Sequence, residues 1–149
     1  MPVACFHLAQ LNIAQMKYAF DAPEMAGFVA RLADINALAD KAPGFVWRLQ
    51  TGEGNATAID HFGADKLVNM SVWENIESLH DYVYRSAHNR VMAERRQWFE
   101  HIESASSVLW WIGAGHIPGL DEAGERLELL RCRGPGPRAF TFKQAFPAE

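Results

Sequence analysis

Residues 23 to 50 read PEMAGFVARLADINALADKAPGFVWRLQ. Met25, Phe28, Val29, Leu32, Ile35 and Leu38 recur at the spacing that gathers them on one stripe of a helix. Asp21 stands just before Pro23 as an N-cap and Pro43-Gly44 supplies a stop, so the spacing predicts a helix over 23–41. The run that follows, GFVWRLQ at 44–50, has the composition of a short strand, and TGEGNATAIDHFGAD after it is rich in turn formers and reads as an exposed hairpin loop.

On the N-terminal side, residues 3 to 14 partly alternate. Phe6, Leu8, Gln10 and Asn12 share one strand face, and Cys5, His7, Ala9, Leu11 and Ile13 the other. On the C-terminal side, KLVNMSVW at 66–73 is a strand that carries Leu67, Asn69, Ser71 and Trp73 on one face and Val68, Met70 and Val72 on the other. Asn75 opens a second helical stripe through Ile76, Leu79, Val83 and Ala87. It continues to Val91, Arg95, Trp98 and Phe99, predicting one long helix over 75–101. SVLWWIG at 107–113 is an apolar strand, and Ala123, Leu127 and Leu130 mark a helix over 121–131 ended by Gly134-Pro-Gly-Pro. AFTFKQAF at 139–146 reads as a last strand.

The first six elements are β-α-β-β-α-β, the order of a ferredoxin-like α+β fold, here with an extra C-terminal helix and strand in a single domain over 1–149. Two helices cover one face of such a sheet. The other face, as rich in Trp, Phe, Leu and Met as the first, predicts a homodimer whose sheets pack face to face as a dimeric α/β barrel.

Composition narrows the function classes. With 149 residues, 49% hydrophobic and 21% charged, the chain is an ordinary globular domain. A net charge of -4 argues against nucleic-acid or anionic-membrane partners, which select basic faces. The N-terminus lacks the basic and apolar regions of a signal peptide, and the longest apolar stretch, Val108 to Ala114, is far too short to span a membrane. Cys5 and Cys132 have no metal-ligand spacing, so the expected location is cytoplasmic, with both thiols free, although spacing does not rule out a bridge between them. Five Trp, nine Phe and three Tyr are more ring surface than one core of this size needs, which points to a second buried surface or a ligand cavity.

Three constellations can carry chemistry. His80, Tyr84 and His88 lie four apart on one helix face, where a histidine serves as general base or as a haem ligand; the plain alternative is a half-buried, solvated row. Gln10, Asn12, Arg48, Asn69, Ser71 and Trp73 fall on three strands read as neighbours, so amides and a hydroxyl converge on one wall. Either they form a buried network that fixes register, or Asn12 and Asn69 hold a substrate carbonyl or oxyanion, with Trp47, Trp73, Trp110 and Trp111 as flat apolar walls for a hydrophobic, aromatic small molecule. His116, in the turn GAGHIP, would stand at a pocket mouth or simply in water. GEGN at 52–55 lacks the spacing and the Lys-Ser/Thr pair of a phosphate loop.

LAQLNIA at 8–14, the opening stretch 23–50, VNMSVWENIESL at 68–79, YRSAH at 84–88, RRQWF at 95–99, LWWIGAGHIP at 109–118 and AFTFKQAFP at 139–147 together resemble an uncharacterised bacterial family of domains of unknown function (DUF3291-like). That family sits in the dimeric α/β-barrel superfamily beside the antibiotic-biosynthesis monooxygenases. The resemblance implies a small-molecule enzyme without a cofactor, monooxygenase-like or a related isomerase or cyclase. His88, Tyr84 and Asn12 would then be catalytic, with Gln10, Arg48, Asn69, Ser71, Trp73, Trp111 and His116 around the substrate. The alternatives are a haem-binding barrel with His88 as axial ligand, although no CxxCH motif is present, and a non-catalytic ligand-binding or stress-response dimer.

Overall fold

The computed structural model describes residues 6–18, 22–49, 66–85, 97–100 and 105–148. Its elements are β1 (Phe6–Met16), a 3-10 turn (Pro23–Met25), α1 (Ala26–Lys41), β2 (Phe45–Arg48), β3 (Lys66–Trp73), α2 (Ile76–Arg85), β4 (Phe99–Glu100), β5 (Ser107–Gly113) and α3 (Leu120–Arg133). Among the described residues the chain is α+β: one antiparallel sheet with three helices, in which β1 lies between β3 and β5, and β2 forms the edge beyond β3. This is the strand order of the expected β-α-β-β-α-β core.

Strand alternation gives the sheet two faces. Leu8, Trp73 and Leu109 point to the side where Phe45, Ile76, Leu79, Tyr82 and Val83 pack, that of α2 and the start of β2. Ala9, Leu11, Ile13, Val68, Met70, Val72, Val108, Trp110 and Ile112 point the other way, and there Ala123, Leu127 and Leu130 of α3 pack down on them. On this face, where a second copy was expected to pack, α3 of the same chain lies against the sheet. Each fully buried leucine in that contact contributes roughly 1.5–3 kcal/mol.

α3 begins at Gly119 with Asp121 and Glu122 in its first turn and ends with Arg131 and Arg133, each charge matched to its end of the helix dipole. Gly134 closes it at φ 74°, its N–H bonded to Leu130 O at 2.8 Å. α2 starts as expected at Asn75, whose Oδ1 accepts from Ser78 N at 2.8 Å. The expected cap of α1, Asp21, lies outside the described residues; the 3-10 turn carries Pro at its start and α1 follows it with no side-chain cap.

Two expectations are corrected. The helical stripe does not continue to residue 101, because Phe99 and Glu100 are a strand paired with Met16 and Gln15. Trp98 and Phe99 pack on Phe28 of α1 at 5.6 and 5.1 Å, and Met16 and Met25 complete that cluster. Apolar periodicity could not separate a continuing helix from a strand with the same residues, since both bury Trp98. The last strand, 139–146, reduces to a bridge in which Leu109 and Phe140 exchange both backbone hydrogen bonds, at 2.8 and 2.9 Å. Beyond it Phe142 and Phe146 pack against the second core instead of extending the ladder.

Gly44, between α1 and β2, has φ +82°, and a Cβ built on it would lie 2.1 Å from Ser78 Oγ and 2.5 Å from Ser78 Cβ. Gly44→Ala is expected to lower unfolding stability by at least about 1–3 kcal/mol from backbone strain alone. The double variant Gly44→Ala/Ser78→Gly should recover the steric part of the loss in denaturant titrations. Equal stability of wild type and Gly44→Ala would show that this turn relaxes freely.

Candidate functional site

The polar wall read from the strands exists. Gln10 Nε2 donates to Asn69 Oδ1 at 2.6 Å and to Ser71 Oγ at 2.8 Å, and Trp73 Nε1 donates to Ser71 Oγ at 2.8 Å. Gln10 and Ser71 are buried at 7% and 6% exposure, whereas Asn69 is exposed. Asn12 stands opposite Asn69 in the β1–β3 ladder and Gln10 opposite Ser71. Among the described residues Asn12 makes no side-chain hydrogen bond.

A bulge in β2 brings the fourth strand position to this wall. Phe45 pairs with Trp73, but Trp47 pairs with Val72, so Val46 is extra. Phe45 therefore packs on Trp73 while Trp47 turns to the α3 side, and Arg48 comes back opposite Ser71. Arg48 donates through Nε to Asp40 Oδ1 at 2.7 Å and through Nη2 to Asp40 Oδ2 at 3.3 Å, a two-pronged pair across α1 and β2.

Between α1 and this wall lies a small cleft of about 40 Å³, lined by Leu32, Asn36, Arg48, Leu49, Leu67, Val68, Asn69 and Met70. Its walls are aliphatic and polar, not the aromatic walls expected. Trp73 is 1% exposed, its ring 5.4 Å from Phe45 and 5.1 Å from Tyr82, and Trp110 is fully buried under α3. Trp111 donates to Phe146 O at 2.8 Å and packs with Phe140. Trp47 and Trp110 belong to the core on one sheet face, and Trp73 and Trp111 to the core on the other. Tyr82 ties α2 to α1 by donating to Ile35 O at 3.0 Å, and burial pushes its phenol well above the ordinary range despite nearby Arg48.

The remaining sequence candidates are placed apart from the cleft. Tyr84 is 50% exposed and stacks on His80 at 4.6 Å, with Phe142 at their edge. His88 lies outside the described residues, as do His61, His101 and Cys5; Cys132 is a free, exposed thiol. His116 joins a different polar chain: its Nε2 and Trp110 Nε1 both reach Glu122, at 2.7 and 2.9 Å, which pins the turn and the start of α3 to β5. Sequence reading missed Asn36, Asp40 and Glu122. The spacing of Leu32, Asn36 and Asp40, four apart on α1, is the signal that would have found the first two.

Burial opposes ionisation of Glu122, but the hydrogen bonds from His116 and Trp110 outweigh it and hold the carboxyl below its usual range. A folded-state pKa below the unfolded one gives stability that is present above the unfolded value and lost as pH falls through the folded one. Wild type should therefore lose stability through that acid window more steeply than Glu122→Gln, and parallel acid-unfolding curves would refute the assignment.

A family model described as "Domain of unknown function (DUF3291)" matches residues 7–149. The chain belongs to this family. Among solved structures, members of several groups are similar to this DUF3291 chain. NE2512 of Nitrosomonas europaea, a protein of unknown function, is 12% identical with a TM-score of 0.48, over 78% of this chain and 99% of its own. SnoaB of Streptomyces nogalater, a cofactor-independent oxygenase, is 16% identical with a TM-score of 0.45, over 74% and 95%. MupZ of Pseudomonas fluorescens is 14% identical with a TM-score of 0.46, over 99% and 93%. A search of curated proteins found no match. No helix among the described residues of this family member is long and apolar enough to cross a membrane, and they hold no group of metal-ligating side chains.

Proposed function

We propose that the cleft between α1 and β2–β3, about 40 Å³, receives only the carbonyl end of a small hydrophobic molecule whose rings stay outside it, and that the chain is a monooxygenase-like enzyme working without a cofactor. The observation that carries this reading is Asn69, an exposed amide on an interior strand, on the sheet face that elsewhere packs aromatic and aliphatic side chains. Its oxygen is held by Gln10, and Asn12 faces it across the ladder. One amide held in the lining of a cleft with aliphatic walls, with a second opposite it in the ladder, suits an oxygen atom that gains negative charge during reaction.

The chemistry needs little else from the protein. A planar ketone with an acidic C–H loses that proton to a base, the role expected of His88, and its oxygen becomes an enolate held by the amides. The enolate gives electrons to dioxygen; one oxygen atom becomes a new carbonyl at the former CH2 and the other leaves as water with its two hydrogens. Oxygen uptake with anthrone, which this route converts to anthraquinone and water, tests the reading. Stoichiometric uptake above the uncatalysed rate is the expected result, and no acceleration with no detectable binding would overturn it. Native mass spectrometry tests the accompanying expectation of a homodimer, since it reports the assembly mass and any retained ligand together.

A further inference from the structure

We infer that residues 141–148 form a strap hinged at Phe140, which lifts from the α2 side of the molecule while the sheet stays folded. Closed, the strap blocks the Trp111 surface to ring-bearing ligands. None of its residues lines the cleft between α1 and β2–β3, so the inference stands apart from the function proposed for that cleft.

The chain is fixed up to Phe140 and loosely held beyond it. Leu109 and Phe140 exchange both backbone hydrogen bonds, Gly136 and Ala139 do the same at 2.8 and 3.1 Å, and Ala139 and Phe140 are 1% and 0% exposed. From Thr141 to Ala148 every residue is half-buried or exposed, and among the described residues no backbone-to-backbone hydrogen bond ties this stretch to the sheet. Its tie to β5 is a side-chain bond, from Trp111 Nε1 to Phe146 O at 2.8 Å. The Gln144 N–H turns back on Thr141 Oγ1 at 3.3 Å, inside the strap. Phe146 lies 6.1 Å from Phe140, and Phe142 stands edge-on to His80 and Tyr84 at 5.5 and 6.0 Å. One hydrogen bond and two half-buried rings are thus set against the backbone freedom of the whole stretch, whereas the Leu109–Phe140 bridge opens only with β5.

Lifting the strap leaves Phe140 seated, bares Trp111 with its indole N–H released, and uncovers the ring faces of His80 and Tyr84 that meet Phe142. Phe142 and Phe146 show what this surface accepts, since each sets an aromatic ring against other rings. A ligand that uses the surface competes with the strap, and its apparent affinity falls in proportion to the fraction of molecules that are open.

Hydrogen exchange in the wild-type chain, followed by NMR in sub-denaturing urea, tests the hinge. The Trp111 indole N–H should have a protection factor about a hundredfold or more below those of the Leu109 and Phe140 amides, and should respond little to urea, as local opening does. Equal protection with an equal urea dependence would overturn the inference, because the strap would then open only with the sheet. Phe146→Ala should lower Trp111 protection by about a further tenfold, as for loss of one half-buried ring, and leave the two amides unchanged. A matching fall at the amides would make the strap part of the sheet's own cooperative unit and overturn the hinge. Binding of anilinonaphthalenesulfonate tests the blocking role: Phe142→Ala/Phe146→Ala should bind this dye with a Kd at least about tenfold below that of wild type, with Leu109 still protected. An unchanged Kd, or tighter binding only where Leu109 protection is also lost, would overturn that role. The wild-type exchange pattern needs no variant, so it decides the hinge even where a substitution prevents folding.

Discussion

Asn69→Ala is expected to reduce kcat for oxygen-dependent turnover of anthrone by about 10²–10³-fold, the usual cost of removing one donor from a developing oxyanion. The fold should survive, because Asn69 is exposed and the buried members of its row, Gln10, Ser71 and Trp73, keep their bonds to one another. Gln10 loses one acceptor at the solvent-facing end of the row, a modest change since water can take its place. The informative comparison is kcat against thermal midpoint: a large fall in kcat at nearly constant midpoint supports a substrate-facing amide. Loss of stability with unchanged turnover would return the row to the alternative of a register-fixing network.

Trp110→Ala should be the most destabilising single change on the sheet. The side chain is fully buried between β5 and α3, so truncation leaves a large cavity, and Trp→Ala in a core typically costs about 3–5 kcal/mol. It also removes a donor from Glu122, whose other partner is His116. Trp110→Phe keeps most of the ring volume and loses only that hydrogen bond, so its cost should be nearer about 1–2 kcal/mol. The difference between the two variants in urea titrations separates packing from the polar tie. Equal losses would show that the tie, and not the ring, holds α3 in place.

Much of this arrangement was legible in the residues. The alternation of KLVNMSVW and SVLWWIG placed both strands at their observed bounds, Lys66–Trp73 and Ser107–Gly113. The same alternation put Gln10, Asn69, Ser71 and Trp73 on one face, because a period of two leaves no other choice. Three things escaped. A stripe such as Ala123, Leu127 and Leu130 tells that a helix lies on something apolar, but not on which face of the sheet. Trp98 and Phe99 fit a helix and a strand equally well, and only the pairing with Met16 decides between them. The bulge at Val46 leaves no mark in composition, yet it brings Arg48 to the polar wall and sends Trp47 away from it.

The cover that α3 forms has a kinetic meaning. Any assembly in which two copies join through the α3-covered face must wait until α3 lifts, with Glu122 released from Trp110 and the Arg131 guanidinium from Ala105 O at 2.7 Å. The slow step would then occur within one chain, so wherever open copies meet faster than they reclose, dimers would appear with a rate constant independent of protein concentration. In that regime a rate constant that rises in proportion to concentration would instead place the contact on a surface that is already open.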